Sequence, residues 1–315
     1  MKKVSVMVPC YNEEENVVPM SEALVKQMEE LSEYDYEILF IDNCSQDNTR
    51  PLLREICAKN PKIKAIFNSK NFGQFNSPYY GICQTTGDCT ITVCCDFQDP
   101  IEMIPKFLAE WEQGYKIVIG IKSSSKENKL MYTLRSIYYK MIRKMSKVEQ
   151  IEHFTGFGLY DKSFVEVLRN LDDSTPFIRG IVAELGPKIK KIEYEQPKRR
   201  AGKTSNNFFS LYDAAMLSFT SYTKVGVRMA SFLGVLLSGG SFAAGLVCLI
   251  LKLIRAIAHV GPIISGTLPI ILTVLFVGGL QLFFIGFVGE YIMSMNARIM
   301  KRPLVIEEER INFDK

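Results

Sequence analysis

The chain has 315 residues, 47% of them hydrophobic, and a formal net charge of +4, too small a surplus to argue for a nucleic-acid partner. Charged residues are dense up to about residue 205 and then nearly vanish between Met229 and Gly289, the composition shift that membrane segments produce. Eight cysteines, at 10, 44, 57, 83, 89, 94, 95 and 248, lack matched zinc-ligand spacing and read as small buried hydrophobes in a reducing compartment.

The first residues, Met-Lys-Lys-Val-Ser-Val-Met-Val-Pro, carry only a short apolar run before a turn. They do not read as a signal peptide, so the N-terminal domain is expected in the cytoplasm. Val4–Pro9 is a β-branched run, followed by Asn12 and the acidic Glu13–Glu15, which predict a helix start favoured by the helix dipole. Glu37–Asp42 repeats the pattern, with Asn48 and Thr49 opening the next helix. Ile63–Asn68, Thr90–Asp96 and Lys116–Ile121 are three more expected strands. Strands alternating with helical stretches imply βαβ units and a parallel sheet covered on both faces. In such a sheet ligands bind beyond the carboxyl ends of the strands, and there fall Tyr11-Asn12-Glu13, Asp42-Asn43, Asn68–Asn71 and Asp96–Asp99.

Met131–Met145 is an amphipathic basic pattern that suits either a membrane surface or packing on the domain. Residues 206–228, with the apolar-leaning Phe208–Tyr222, form the expected juxtamembrane helix. Met229–Leu251 is 23 residues without a charge, enough for one crossing of about 20 residues, and Val260–Gly289 is a second uncharged run. The organisation expected is therefore a catalytic domain over 1–205, the juxtamembrane helix, a two-helix anchor over 229–295 and a cytoplasmic tail over 296–315. Lys224 and Arg228 before the first span, and Arg298, Lys301 and Arg302 after the second, favour both termini in the cytoplasm.

Chemistry concentrates at Cys95-Asp96-Phe97-Gln98-Asp99-Pro100. A nucleotide-sugar enzyme must stabilise charge on a departing diphosphate, and a divalent cation held by hard oxygens does so as a Lewis acid. Asp96 and Gln98, two apart, would point the same way on an extended chain. Alone, the motif could equally be a turn and helix cap before Ile101.

Taken together the segments resemble family 2 glycosyltransferases, in the polyprenyl-phosphate branch that includes dolichol-phosphate mannose synthases and bactoprenol glucosyltransferases. The matching segments are Val8–Glu14, Phe40–Thr49, Lys70–Gly73, Asp96–Pro100, Arg199–Thr204, Gly286–Tyr291 and Arg302-Pro303, in the family's order across nearly the whole chain. The resemblance implies a GT-A fold and inverting transfer of a sugar, from a UDP-linked donor, to a polyprenyl phosphate at the cytoplasmic face of the plasma membrane. It implies Mg2+ or Mn2+ on Asp96 and Gln98, with Asp96 and Asp99 as the catalytic carboxylates. Pro9, Tyr11 and Glu13 would border the nucleoside, with Asp42 on the base and Asn71 close by. Lys122, Arg199, Arg200 and Lys203 would clamp phosphates, a task suited to guanidinium forks. Self-association and a separate flippase for the product are further expectations of the resemblance.

Three departures stand out. Cys94 replaces the first Asp of the family's Asp-Ala-Asp, Asp-Asn-Cys-Ser replaces Asp-Asp-Gly-Ser, and Gly156 stands where many relatives carry an Asp base. A phosphate acceptor has its second pKa near 6 and needs no base at neutral pH, so the last departure favours such an acceptor or else a weakened enzyme. His153 lies near as a substitute base or a structural residue. A processive synthase is disfavoured, because the sole tryptophan, Trp111, sits in Leu-Ala-Glu-Trp-Glu rather than Gln-x-x-Arg-Trp. A silent membrane scaffold that binds nucleotide-sugar is the alternative that Cys94 and Gly156 support.

Overall fold

The computed structural model describes residues 1–124, 151–171, 173, 175–197, 199–201, scattered positions between 216 and 258, 268–300 and 302–313. Eight strands form one sheet: β1 (Lys2–Cys10), β2 (Tyr34–Asp42), β3 (Ile63–Asn68), β4 (Cys89–Thr92), β5 (Ile117–Ser124), β6 (Phe154–Asp161), β7 (Ile189–Glu195) and β8 (Glu307–Ile311). Their spatial order is β7-β5-β6-β4-β1-β2-β3-β8. The helices are α1 (Val17–Glu30), α2 (Thr49–Lys59), α3 (Gly73–Gln84), α4 (Ile104–Glu112), α5 (Lys162–Asn170), α6 (Ile178–Leu185) and α7 (Leu268–Ile299).

The α/β expectation holds, and the sheet is mixed rather than parallel throughout. β3-β2-β1-β4 and the β5/β7 pair are parallel, whereas β6 runs antiparallel to both β4 and β5, and β8 antiparallel to β3. The parallel centre reads as near-continuous apolar runs because helices cover both faces. Val4, Val6, Ile38, Phe40 and Ala65 are fully buried on one face with α1, and Met7, Leu39, Ile41 and Ile66 pack on the other with α3.

β1, β2 and β5 run a few residues beyond their expected bounds, and two shifts bear on the site. α1 begins at Val17, not at the acidic run, because Asn12 takes a left-handed backbone (φ 56°) and the Glu13 carbonyl accepts from the amides of Asn16 and Val17 before the helix starts. β4 ends at Thr92, so Asp96 lies on a loop beyond it. Val93 still hydrogen-bonds the Met7 carbonyl at 3.0 Å, which aims this loop along the end of β1.

Among the described residues, one helical stretch, Phe276–Asn296 within α7, is long and apolar enough to cross a membrane, and its apolar window contains no buried residue. The other expected span, Met229–Leu251, the juxtamembrane helix and Met131–Met145 fall wholly or largely outside the described residues. Residues 296–315, expected as a tail, supply β8, which adds the eighth strand at the β3 edge.

Near the amino ends of the parallel strands, Glu37 on β2 is 2% exposed and binds Ser5 and the Thr86 amide at 2.6 Å, with Lys3 and Lys64 at 2.9 Å. Burial alone would raise its pKa, but the hydrogen bonds from Ser5, Lys3, Lys64 and Thr86 bring it down to about 2. A depressed carboxylate stabilises the fold fully above its unfolded value of about 4.3 and loses that contribution as pH falls toward about 2. Glu37→Gln is therefore expected to destabilise the domain at pH 7 by about 3 kcal/mol. Thermal unfolding in detergent should show the deficit shrinking on going from pH 5 to pH 3; a deficit constant across that window would contradict this role.

Candidate active site

The loops after β1, β2 and β4 each turn on a non-glycine residue with positive φ: Asn12 (56°), Cys44 (66°) and Phe97 (61°). Such backbone is uncommon outside functional sites and must be held by its surroundings. Here the first two loops hold each other. The Asn12 amide donates to Ser45 Oγ, the Gln46 amide to Asn12 Oδ1, and the Glu13 amide to Thr49 Oγ1, each at 2.8 Å. Asn48 in turn binds Glu14 at 3.0 Å.

Beyond the end of β4, Asp96 is 5% exposed and both of its carboxylate oxygens have partners. Arg199 donates to Oδ2 through Nε at 3.0 Å and Nη2 at 2.8 Å, and the Gln98 amide donates to Oδ1 at 3.0 Å. The Arg200 amide donates to the Asp96 carbonyl at 3.2 Å, and the Arg200 guanidinium lies over the Phe97 ring at 5.2 Å. Glu13 belongs to the same cluster. Burial raises its pKa, the hydrogen bond from Asn16 and the charge of Arg199 oppose this, and Asp96 adds to the rise. The expectation that Asp96 and Gln98 point alike on an extended chain is not met. Phe97 turns the chain, and the Asp96 side chain instead caps the Gln98 amide.

Asp99 faces inward. Its Oδ2 accepts from the Cys94 amide at 3.0 Å and Oδ1 from Tyr194 at 3.3 Å, so it clamps the loop that carries Asp96. Burial raises its pKa; the hydrogen bonds from Cys94 and the Lys122 charge act against that rise. Lys122 thus lies on the Asp99 side of the cluster. Lys203 is outside the described residues.

A second cluster sits at the ends of β2 and β3. Asp42 is fully buried; Oδ2 takes Arg50 Nε at 2.6 Å, while the Ser45 amide lies 3.3 Å from Oδ1. Asn43 donates to Asn71 Oδ1 at 2.9 Å and accepts from the Phe72 amide at 2.9 Å. Pro9 and Tyr11, both half-buried, run from the end of β1 between the two clusters, with Pro9 in register with Ile41. Arg50 was not anticipated. A basic residue in a helix's first turn runs against the dipole preference, and that anomaly is the signal that could have marked it.

Among the described residues seven cysteines are free: Cys10, Cys57, Cys89 and Cys95 are buried, Cys44 and Cys83 partly so, and Cys94 is exposed two positions before Asp96. Among the described residues no three His, Cys, Asp or Glu side chains group to hold a metal. Asp96 and Gln98 would offer one carboxylate and one amide oxygen to a hard cation once Arg199 leaves Asp96, the remaining ligands coming from phosphates and water.

The parallel strands thus end in a cluster of carboxylates and guanidiniums, at the edge of the sheet where α/β proteins bind their ligands. Residues 5–169 match the family described as Glycosyl transferase family 2, and the chain belongs to it. The protein is 30% identical over 305 residues to a prophage bactoprenol glucosyl transferase homolog of Escherichia coli strain K12, covering 96% of this chain and 98% of the relative. It is likewise 30% identical over 309 residues to the bactoprenol glucosyl transferase of Shigella phage SfX, covering 98% and 99%. Among solved structures, glucosyl-3-phosphoglycerate synthase from Mycobacterium tuberculosis aligns with a TM-score of 0.47 at 14% identity, over 70% of this chain and 78% of that one.

Two departures from the family pattern acquire physical meaning. Cys44, at the family's glycine, holds φ 66°, so Cys44→Gly is expected to stabilise the fold by about 1 kcal/mol. Gly156 has φ 108° and its carbonyl accepts from Thr92 and Tyr160. Gly156→Asp is expected to destabilise by about 1–3 kcal/mol without raising the transfer rate. Melting temperatures and initial rates of both variants check this; a faster Gly156→Asp enzyme would restore the missing-base reading.

Proposed function

We propose that this enzyme inverts the anomeric centre while moving a hexosyl group from a UDP-linked donor to a polyprenyl phosphate at the cytoplasmic membrane face. The carrying observation is the buried Asp96 carboxylate paired with Arg199 at the tip of β4, with Gln98 and Arg200 on the same loop system. The printed names of the relatives make glucose the first donor sugar to test and a bactoprenol-type lipid the first acceptor.

Asp96 and Gln98 would hold Mg2+ or Mn2+, which supplies Lewis-acid neutralisation of the leaving diphosphate when bound. The remaining work belongs to the chain. Arg199, released from Asp96, and Arg200, Lys122 and Lys203 offer cationic donors to phosphate oxygens, where fixed charge favours the departing group. Pro9, Tyr11 and Glu13 border the nucleoside, and Asp42 and Asn71 the base. Asp99 keeps the Asp96 loop in place through Cys94 and Tyr194. The acceptor phosphate is largely ionised at neutral pH, so attack needs no side-chain base, which accords with glycine at position 156.

Topology supports a two-span anchor. β8 follows α7 and pairs with β3 of the same sheet that holds β1 and β2. A chain that leaves that sheet and returns to it must cross a bilayer an even number of times. If Phe276–Asn296 is one crossing, a second lies before it, and the charge-free Met229–Leu251 is long enough to supply it.

Asp96→Ala is expected to reduce formation of the glycosyl lipid by at least about a hundredfold, while the protein still partitions into membranes like wild type. Mass spectrometry of lipids after incubation with UDP-glucose, polyprenyl phosphate and Mn2+ reads the first quantity, and fractionation the second. Near-normal turnover in Asp96→Ala would overturn the site, and product formation by neither protein would favour a silent scaffold.

A further inference from the structure

We infer that β8 is a working part of the donor site, with Glu308 acting through Arg50 as a positioning residue for Asp42. This rests on the reading of Asp42 as the base contact, and deepens it by assigning two residues outside the matched segments' expected roles.

Arg50 is the hinge of the arrangement. Its guanidinium reaches three acceptors from three different strands: Asp42 Oδ2 at the end of β2 at 2.6 Å, the Asn68 carbonyl at the end of β3, and Glu308 on β8 at 2.9 Å. Its cationic face lies over Phe67 at 5.5 Å. The Arg50 side chain is 15% exposed and that of Asp42 is fully buried. A buried carboxylate without its cation is strongly unfavourable, so Arg50 fixes both the charge and the orientation of Asp42. Arg50 takes Oδ2 and the Ser45 amide is shared, 3.3 Å from Oδ1 and 3.2 Å from Oδ2, so among the described residues Oδ1 carries the fewer donors and is the oxygen left for a base N–H. The imide N–H of uracil is such a donor; cytosine presents an acceptor at that ring position. Orientation of Asp42 is thus a determinant of base choice.

β8 is built to hold its end of this contact. The Ser69 amide donates to the Ile306 carbonyl at 2.9 Å where the strand begins. Tyr80 binds Glu307 at 2.9 Å, Arg54 binds Glu309 at 2.6 Å, and Asn312 donates to the Ile63 carbonyl at 2.7 Å. Only residues 300–306 separate β8 from the end of α7. The membrane helix and the nucleoside half of the site are therefore joined by one short, firmly paired segment.

The test uses the full chain in detergent, with Glu308→Gln as the probe and Glu309→Gln as the control, since Glu309 anchors the same strand through Arg54 without touching Arg50. Binding of UDP in the presence of Mn2+ is measured by calorimetry, together with KM and kcat for UDP-glucose. Glu308→Gln should weaken UDP binding about threefold and raise KM with kcat little changed. Arg50→Gln should weaken UDP binding by more than about tenfold and narrow the preference for UDP over CDP. Glu309→Gln should bind as wild type. If wild type binds UDP but Glu308→Gln is indistinguishable from Glu309→Gln, the positioning role is overturned and the donor-site reading survives. If wild type binds no nucleotide, both fall together.

Discussion

The structure turns on a carboxylate that cannot be left alone. Asp96 sits at the tip of a buried strand with almost no contact with water, where an unpaired negative charge would cost several kcal/mol. Arg199 meets it with two nitrogens, and the Gln98 amide takes the other oxygen. The same constraint explains why Phe97 is bent into a left-handed conformation and why Asp99 is buried beneath it. The turn brings Gln98 back onto Asp96, and Asp99 ties the loop to Cys94 and Tyr194. A site arranged this way is stable with an internal cation and chemically ready for an external one. In the proposed reaction Asp96 and Gln98 would hold the metal ion, which would supply charge neutralisation, and Arg199 would offer its guanidinium to the phosphates.

The second constraint is closure of the sheet. β8 arrives from beyond the apolar helix α7, yet it hydrogen-bonds to β3 and reaches Arg50, the partner of Asp42. Under the proposed function, membrane attachment and nucleotide recognition would thereby be parts of one sheet rather than neighbouring modules. A lipid acceptor is held by the bilayer, so the sugar's destination has a fixed height relative to the domain. An anchor continuous with the catalytic sheet suits that geometry better than a flexible tether.

Much of this was legible in the residues. β-branched runs ending in polar groups located the central strands, with Ile63–Asn68 matched at both ends, and the ordered set of short motifs pointed to the family that the wider comparison shows. What was not legible depends on pairing between distant segments. β6 and β8 run against their neighbours in the sheet, and no local pattern in the sequence records direction. The four-residue β4 ends before Asp96 because the backbone turns at Phe97, and positive φ at a phenylalanine is not written in its side chain. Arg50 looked like an ordinary helix residue until Glu308, 258 positions away, was found beside it. Cys94 was read as buried with the other thiols, but at the position of the family's Asp it is an exposed residue beside the anionic cluster.

The central claim, that Asp96 is an anion built to trade Arg199 for a metal held with a nucleoside diphosphate, is tested most directly by electron paramagnetic resonance of Mn2+ bound to the full-length protein. Titration should show one tightly held Mn2+ per chain that forms with UDP present, and this signal should vanish in Asp96→Asn while UMP fails to support it. A Mn2+ signal unchanged by Asp96→Asn, or no bound Mn2+ with UDP at saturation, would contradict the account.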